Sequence, residues 1–205
     1  YYLPASQSYI TNIPGNSLTA ISHQQQSGLW AAGSYYGHLQ LYNGSHMVYS
    51  GKNNDMPASR VKVLKWLSQN ELLVGTDYNP YIYNIQKGNA TAIPGLTNEV
   101  GGIDMQQGKA GLWLCGRSGI FLLNGASPRL LYGDMYRAIS NRFTSIAEKD
   151  STGCWFTSLS SLHWLQLPVG NVSELAGPEV FGANLKDIEF INGNLWVATH
   201  GNGIF

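Results

Sequence analysis

Short apolar runs alternate along the chain with clusters of Gly, Asn, Asp, Ser and Pro. One run recurs as "GLWAAGS", "ELLVGTD", "GLWLCGR", "GCWFTSL" and "NLWVATH", with Trp30, Leu73, Trp113, Trp155 and Trp196 at the same place in each. These positions return at intervals of roughly 40 residues, a period that marks a repeat architecture. Upstream of each lies a second run ("NSLTAI", "SRVKVL", "NEVGGI", "NRFTSI", "ANLKDI"), and downstream a third ("HLQLYN", "YIYNI", "GIFLLN", "LHWLQL", "GIF"). A fourth follows in most repeats, as "HMVYSG", "ATAIPG", "PRLLYG" and "VSELAGP". The runs are brief, rich in β-branched and aromatic residues and bounded by turn formers, so a helical period never develops and strands are predicted throughout.

Four short antiparallel strands per repeat make a β-propeller blade. The predicted fold class is therefore all-β, a propeller of five four-stranded blade equivalents with essentially no helix. The repeats run over approximately 16–58, 59–97, 98–140, 141–182 and 183–205, the last completed by 1–15, in one propeller region covering 1–205. The end "GNGIF" joined to the start "YYLPASQSYITNIPG" matches "GHLQLYNGSHMVYSGKNND". Either the ends meet in a composite blade that closes a five-bladed ring, or the chain is a segment of a larger propeller, such as a seven-bladed one. The missing initiator Met and the stop within a third strand favour the segment. The repeated Trp is expected to plug the space between neighbouring blades, beside Ile21, Ile103, Ile146 and Ile188, as core and not as ligand contacts.

Charge narrows the classes of function. Charged residues are only 12% of the chain and apolar residues 43%, which suits strands buried on both faces and opposes disorder. The 12 Lys and Arg balance the 12 Asp and Glu, leaving no basic excess for a phosphate backbone, so a nucleic-acid partner is not expected. No apolar run reaches the roughly 18–20 residues of a membrane helix, so no membrane segment is expected in this chain. Cys115 and Cys154 lie on opposite faces of their respective strands relative to the neighbouring Trp and read as small buried hydrophobes, not a disulfide.

The unit formed by a first strand ending in Ile, a Gly-apolar-Trp second strand and a Gly-apolar-Phe third strand resembles the two-component regulator propeller repeat. "LKDIEFINGNLWVATHGNGIF" is the fullest copy, with "FTSIAEKDSTGCWFTSLSSLHWL" and "VGGIDMQQGKAGLWLCGRSGIFLL" close to it. The second repeat departs, with Leu73 in place of Trp, and no Trp-Asp dipeptide points to the WD class. The resemblance implies a periplasmic sensing region of a bacterial hybrid two-component regulator that responds to glycan-derived ligands. Such regions are typically seven-bladed propellers followed by an immunoglobulin-like domain, a membrane helix and a kinase, and dimerisation of the parent sensor is a further implied partner. The alternatives are a stand-alone lectin-like or protein-interaction propeller and, behind them, a glycosidase.

Candidate chemistry concentrates in the loops after the second strands ("GSYYGH", "TDYNPY", "GRSG", "TSLSS", "THGNG") and in the blade-joining loops ("GKNNDMPASR", "YGDMYRAISNR"). In a propeller these share one face. Tyr35, Tyr36, Tyr78, Tyr81, Arg117 and His200 are the expected ligand-binding residues, with His38, Tyr136 and Arg137 nearby. Aromatic rings stack on the C–H face of a sugar while Arg, Asn and His bond its hydroxyls, so an oligosaccharide or other small ligand is the expected partner. No catalytic residue, metal ligand or cofactor is assigned, and the chain is expected not to be an enzyme. Asp55, Asp77 and Asp134 sit beside turn residues, where Asp usually serves the backbone. Asp104 and Asp187 fall near the first strands. The five histidines show no metal-ligand spacing.

Overall fold

The computed structural model describes residues 17–44, 46–51, 59–94, 96, 102–116, 119–124, 128–133 and 143–205. The chain divides into two compact units, Tyr1–Ala92 and Ile93–Phe205. The part of the fifth repeat expected from 1–15 lies outside the described residues.

The first unit holds two antiparallel four-stranded sheets, each a simple meander. One comprises β1 (Leu18–His23), β2 (Leu29–Ser34), β3 (Leu39–Asn43) and β4 (His46–Gly51); the other comprises β5 (Val61–Trp66), β6 (Glu71–Thr76), β7 (Pro80–Asn84) and β8 (Asn89–Ala92). The central strands are buried on both faces, as continuous apolar runs such as "LLVG" require, whereas β8 alternates toward solvent. Ala31, Leu39, Leu41, Leu64, Leu72, Val74 and Tyr83 form the core between the two sheets. Gly33 is needed there, because a Cβ on it would lie 2.4 Å from Val61 Cγ1. Thr19 Oγ1 donates to Val61 O at 2.5 Å, tying β1 to β5 across the same contact.

The second unit repeats the plan. β9 (Gly102–Gln107), β10 (Leu112–Gly116), β11 (Gly119–Leu123) and β12 (Pro128–Gly133) form one sheet, and β13 (Ser145–Asp150), β14 (Gly153–Thr157), β15 (Leu162–Gln166) and β16 (Asn171–Ala176) the next. The hairpin β17 (Leu185–Ile191) and β18 (Asn194–Thr199) follows, and the bridge Ala198–Ile204 begins a third strand there. A single-turn helix, α1 (Pro178–Phe181), precedes β17, and the described residues are otherwise all-β, as expected. Pro178 opens it, and Gly182 closes it in the left-handed region with its N–H donating to Pro178 O at 2.8 Å.

The register explains which repeated residues become core. The residue after the second-strand Trp or Leu pairs with Leu64, Met105, Ile146 and Ile188 in four sheets, and with Ser22 in the first. Ile146 and Ile188 are buried as expected. Ile21 is not: it sits one place out of step and is 63% exposed, because a one-residue offset turns a strand side chain to the other face. Met105 takes the place expected for Ile103 and is fully buried; the Ile103 side chain lies outside the described residues.

The tryptophans also divide. Trp113 is 0% exposed, held among Ile146, Cys154 and Phe156 of the next sheet. Trp155 is half-buried against Phe190 of β17, with ring centroids 4.7 Å apart, and against Trp164. Trp30 and Trp196 are 39% and 49% exposed, which corrects the expectation of a plug in every repeat. By register Trp66 of β5 occupies the position of Glu148 in β13 and packs on the first unit's core; Trp30 instead stacks on His23 of its own sheet, 4.3 Å centroid to centroid. The hairpin that carries Trp196 packs through β17 on the sheet before it, which leaves Trp196 on the far face.

Candidate functional site

At one end of the first unit, the turn after β2, the residues entering β5 and the turn after β6 come together around a cleft of about 280 Å³ lined by Tyr35, Tyr36, His38, Ser59, Arg60, Asp77 and Tyr78. Its scaffold is a set of short-range hydrogen bonds. Ser34 N donates to His38 O at 3.0 Å and His38 N to Ser34 Oγ at 3.1 Å, closing the β2–β3 turn over Gly37 at φ 80°, a value that favours glycine. Tyr78 N donates to Thr76 Oγ1 at 3.2 Å, and Thr76 Oγ1 donates to Asn79 O at 2.8 Å. Asp77 N reaches both Arg60 O and Ser59 Oγ at 3.2 Å, which fastens the turn after β6 to the residues entering β5, its neighbour in the same sheet, beneath the cleft. Ser34, Ser59 and Thr76 are buried, so the polar framework is fixed.

On this framework Tyr35, Tyr36 and Tyr78 stay about half-exposed. Tyr35 and Tyr36 meet edge to face, 5.3 Å apart at 78°, and the Arg60 guanidinium carbon lies 5.9 Å from the Tyr35 ring centre. Asp77 Oδ1 is ion-paired with Lys62 Nζ at 2.7 Å. The cleft thus offers aromatic faces, phenol hydroxyls, an imidazole and a guanidinium, while the one carboxylate among its described lining residues is already matched by a lysine.

Three of the six residues expected at a binding site therefore share this cleft: Tyr35, Tyr36 and Tyr78. Tyr81 does not, because it is one strand position into β7 and points into the first unit's core. Burial pushes its phenol pKa up, while its hydrogen bond with Asn79 acts the other way. His200 belongs to the second unit, exposed on the turn after β18, with its backbone N–H bound to Asn184 O at 2.8 Å. Arg117, Tyr136 and Arg137 lie outside the described residues, as do Asp55 and Asp134. Arg60 and Ser59 were not singled out from the sequence, although they end the blade-joining loop "GKNNDMPASR"; the signal was their place directly before a first strand.

Asp104 and Asp187 are brought to one serine. Ser145 Oγ lies 2.7 Å from Asp104 Oδ2 and 2.7 Å from Asp187 Oδ1, while Ile146 N donates to Asp104 Oδ2 at 3.0 Å. A hydroxyl carries one hydrogen, so it donates to one of the two at a time. The arrangement links the first strands of three successive sheets, β9, β13 and β17. Among the described residues, no group of three or more His, Cys, Asp or Glu could hold a metal ion.

No family model matches the chain, and no curated protein matches it. Solved structures do. Virginiamycin B lyase from Staphylococcus aureus aligns with a TM-score of 0.72 at 14% identity, over 92% of this chain and 69% of the lyase. The extracellular domain assigned to a one-component system of B. thetaiotaomicron gives 0.72 at 14% identity over 96% of this chain, which spans only 27% of that protein's length. Regucalcin from Agrobacterium tumefaciens, described as a calcium-binding protein, gives 0.67 at 15% identity over 94% of this chain and 70% of its own. The chain has the β-propeller fold that these share. That finding corrects the expectation that the chain is not an enzyme: a lyase is built on the same fold, so neither the fold nor the repeat excludes catalysis. No helix among the described residues is long and apolar enough to cross a membrane.

Proposed function

We propose that this propeller is a ligand-binding module of an extracytoplasmic sensor, with a glycan-derived oligosaccharide as its ligand and the cleft of the first unit as its site. The observation that carries the reading is the convergence of half-exposed Tyr35, Tyr36 and Tyr78 on one cleft whose backbone is pinned by buried serine and threonine hydroxyls. Large rings held open to solvent on a rigid base are poor core and good stacking platforms for sugar C–H faces. The propeller fold shared with the extracellular domain of a one-component system supports a sensing role outside the cytoplasm; dimerisation of the parent sensor is part of the proposal, as the way such a module would signal.

The test is a titration of the folded chain against a panel of oligosaccharides, with Tyr36→Ala and Tyr78→Ala beside the parent. Each substitution is expected to weaken binding by about 1–3 kcal/mol, the combined worth of a stacking contact and its buried area, with the melting temperature unchanged. Unaltered affinity in both variants would remove the cleft from the site.

A further inference from the structure

We infer that the cleft of the first unit selects a sugar bearing a carboxylate, a uronic acid residue, with Arg60 as the anchor for its charge. The inference rests on the oligosaccharide reading above and adds the charge of the ligand to it.

The argument is an inventory of charge around the cleft. Among the described residues, Asp77 is the single acidic side chain in the lining, and its carboxylate is held at 2.7 Å by Lys62 from the neighbouring β5 position. That pair is internally neutral. Arg60, two residues before Lys62, is exposed and has no ion-pair partner among the described residues. The described lining therefore carries one positive charge with no ion-pair partner among the described residues. Its backbone is fixed, because Arg60 O accepts from Asp77 N at 3.2 Å. Its guanidinium is placed beside the Tyr35 ring at 5.9 Å, within the range over which a ring face attracts a cation.

A guanidinium so placed still has N–H groups to spare, and its planar fork matches a carboxylate through two parallel hydrogen bonds. Tyr36 and Tyr78 supply the apolar surface for the ring that carries that carboxylate. A neutral sugar would leave the guanidinium to water; a second cation would be repelled. Aromatic faces beside one unpaired guanidinium are therefore the recognition chemistry of a uronate.

The experiment uses the whole chain and two forms of one probe: short oligogalacturonates and their methyl esters, which keep the sugar and remove the charge. The parent is expected to prefer the acid over the ester by about 10–100-fold at low salt, the range for a hydrogen-bonded charge pair, and the preference should shrink as salt is raised. Arg60→Gln should bring the ratio of acid to ester affinity close to one, with the melting temperature as it was; Arg60→Lys should restore part of that ratio, as a point charge without the fork. Equal binding of acid and ester by the parent, with Tyr36→Ala weakening both, overturns the uronate inference and leaves the oligosaccharide reading standing. Failure of either probe to bind, when neutral oligosaccharides do, overturns it as well. If no saccharide of any charge binds, both readings fall together.

Discussion

Trp113 and Glu148 form the contact through which one blade grips the next, and a double-mutant cycle measures it. Glu148 sits two residues after Ile146 in β13 and reaches across to the β9–β10 turn of the preceding sheet. Its Oε1 accepts from Trp113 Nε1 at 3.0 Å and Ala110 N at 2.8 Å, and its Oε2 from Lys109 N at 2.6 Å. The fit is close: a Cβ on Gly108 would lie 2.0 Å from Glu148 Oε2. Hydrogen bonds to a charged acceptor contribute about 1.5–3 kcal/mol each, but the two turn amides can exchange the carboxylate for water, whereas the indole N–H of fully buried Trp113 cannot. Trp113→Phe keeps most of the packing and deletes that donor; Glu148→Gln keeps the shape and turns a donor group toward amides that need an acceptor. Each single variant should lose about 2–3 kcal/mol in urea unfolding followed by tryptophan fluorescence, and the pair should lose about 1–2 kcal/mol less than the sum, since the bond they share is removed once. Additivity within about 0.3 kcal/mol would show that the indole–carboxylate bond contributes nothing and that Trp113 acts through packing alone.

Four further outcomes follow from the same structure. Trp113→Ala should cost about 3–5 kcal/mol and Trp196→Ala no more than about 1–2 kcal/mol, since the first is fully buried and the second half-exposed; equal losses in thermal unfolding would refute the division. Tyr81→Ala should destabilise the fold by about 3–5 kcal/mol, unlike Tyr36→Ala and Tyr78→Ala, and a stable Tyr81→Ala that lost ligand would return Tyr81 to the site. Cys115 and Cys154 are free and buried in one cluster, and their thiol pKa values are pushed up by burial, with the Asp104 charge next for Cys115 and the Glu148 charge next for Cys154; a thiol reagent at mildly alkaline pH should label neither until denaturant is added. His163 is buried and stacked on Phe156, and burial lowers its pKa against the opposing pull of Glu174. Below an unfolded value of about 6.5 the unfolded chain therefore binds the proton that the folded chain resists, so stability should be complete above that pH and fall as pH drops through the window beneath it; His163→Gln should flatten that part of a urea-midpoint profile, and an unchanged slope would refute the assignment.

What the sequence could show was bounded by the nature of its signal. The repeat was legible because every blade needs two central strands buried on both faces, and such strands can be written only as short apolar runs between turns. The cleft was legible in part for a similar reason: the turns after β2 and β6 hold tyrosines where a turn needs small or polar residues, so Tyr35, Tyr36 and Tyr78 stood out. Tyr81 looked the same in the sequence, yet Pro80 already belongs to β7, and that boundary of one or two residues decides whether a tyrosine is a platform or a plug. Arg60 was hidden because its importance comes from the pairing of Asp77 with Lys62, a contact across β5 and the β6–β7 turn that no spacing announces.

The tryptophans show the same limit at the level of energetics. In every described sheet the second strand brings its central residue to the same register, and for Trp30, Trp113 and Trp155 the fate of that residue depends on the side chain at one position of the following first strand. Where that position is Glu148, the indole of Trp113 is drawn in and hydrogen-bonded; where it is Phe190, Trp155 packs face against ring and stays half-buried; where it is Trp66, the space is already filled and Trp30 turns to His23. A repeat in sequence therefore specifies a repeat of backbone, while the contact between blades is specified pairwise, by two residues about 35 apart whose identities vary independently. The turn residues follow the same rule. The backbone repeat delivers a loop to the same place each time, and the chemistry of the cleft arises where two adjacent loops differ from the rest, here one with paired tyrosines and one with an aspartate already bound to lysine. A propeller that keeps its blades regular is thus free to change its ligand by altering the few loop residues of one neighbouring pair, which is why Arg60→Gln is expected to change what the cleft selects without changing how the chain folds.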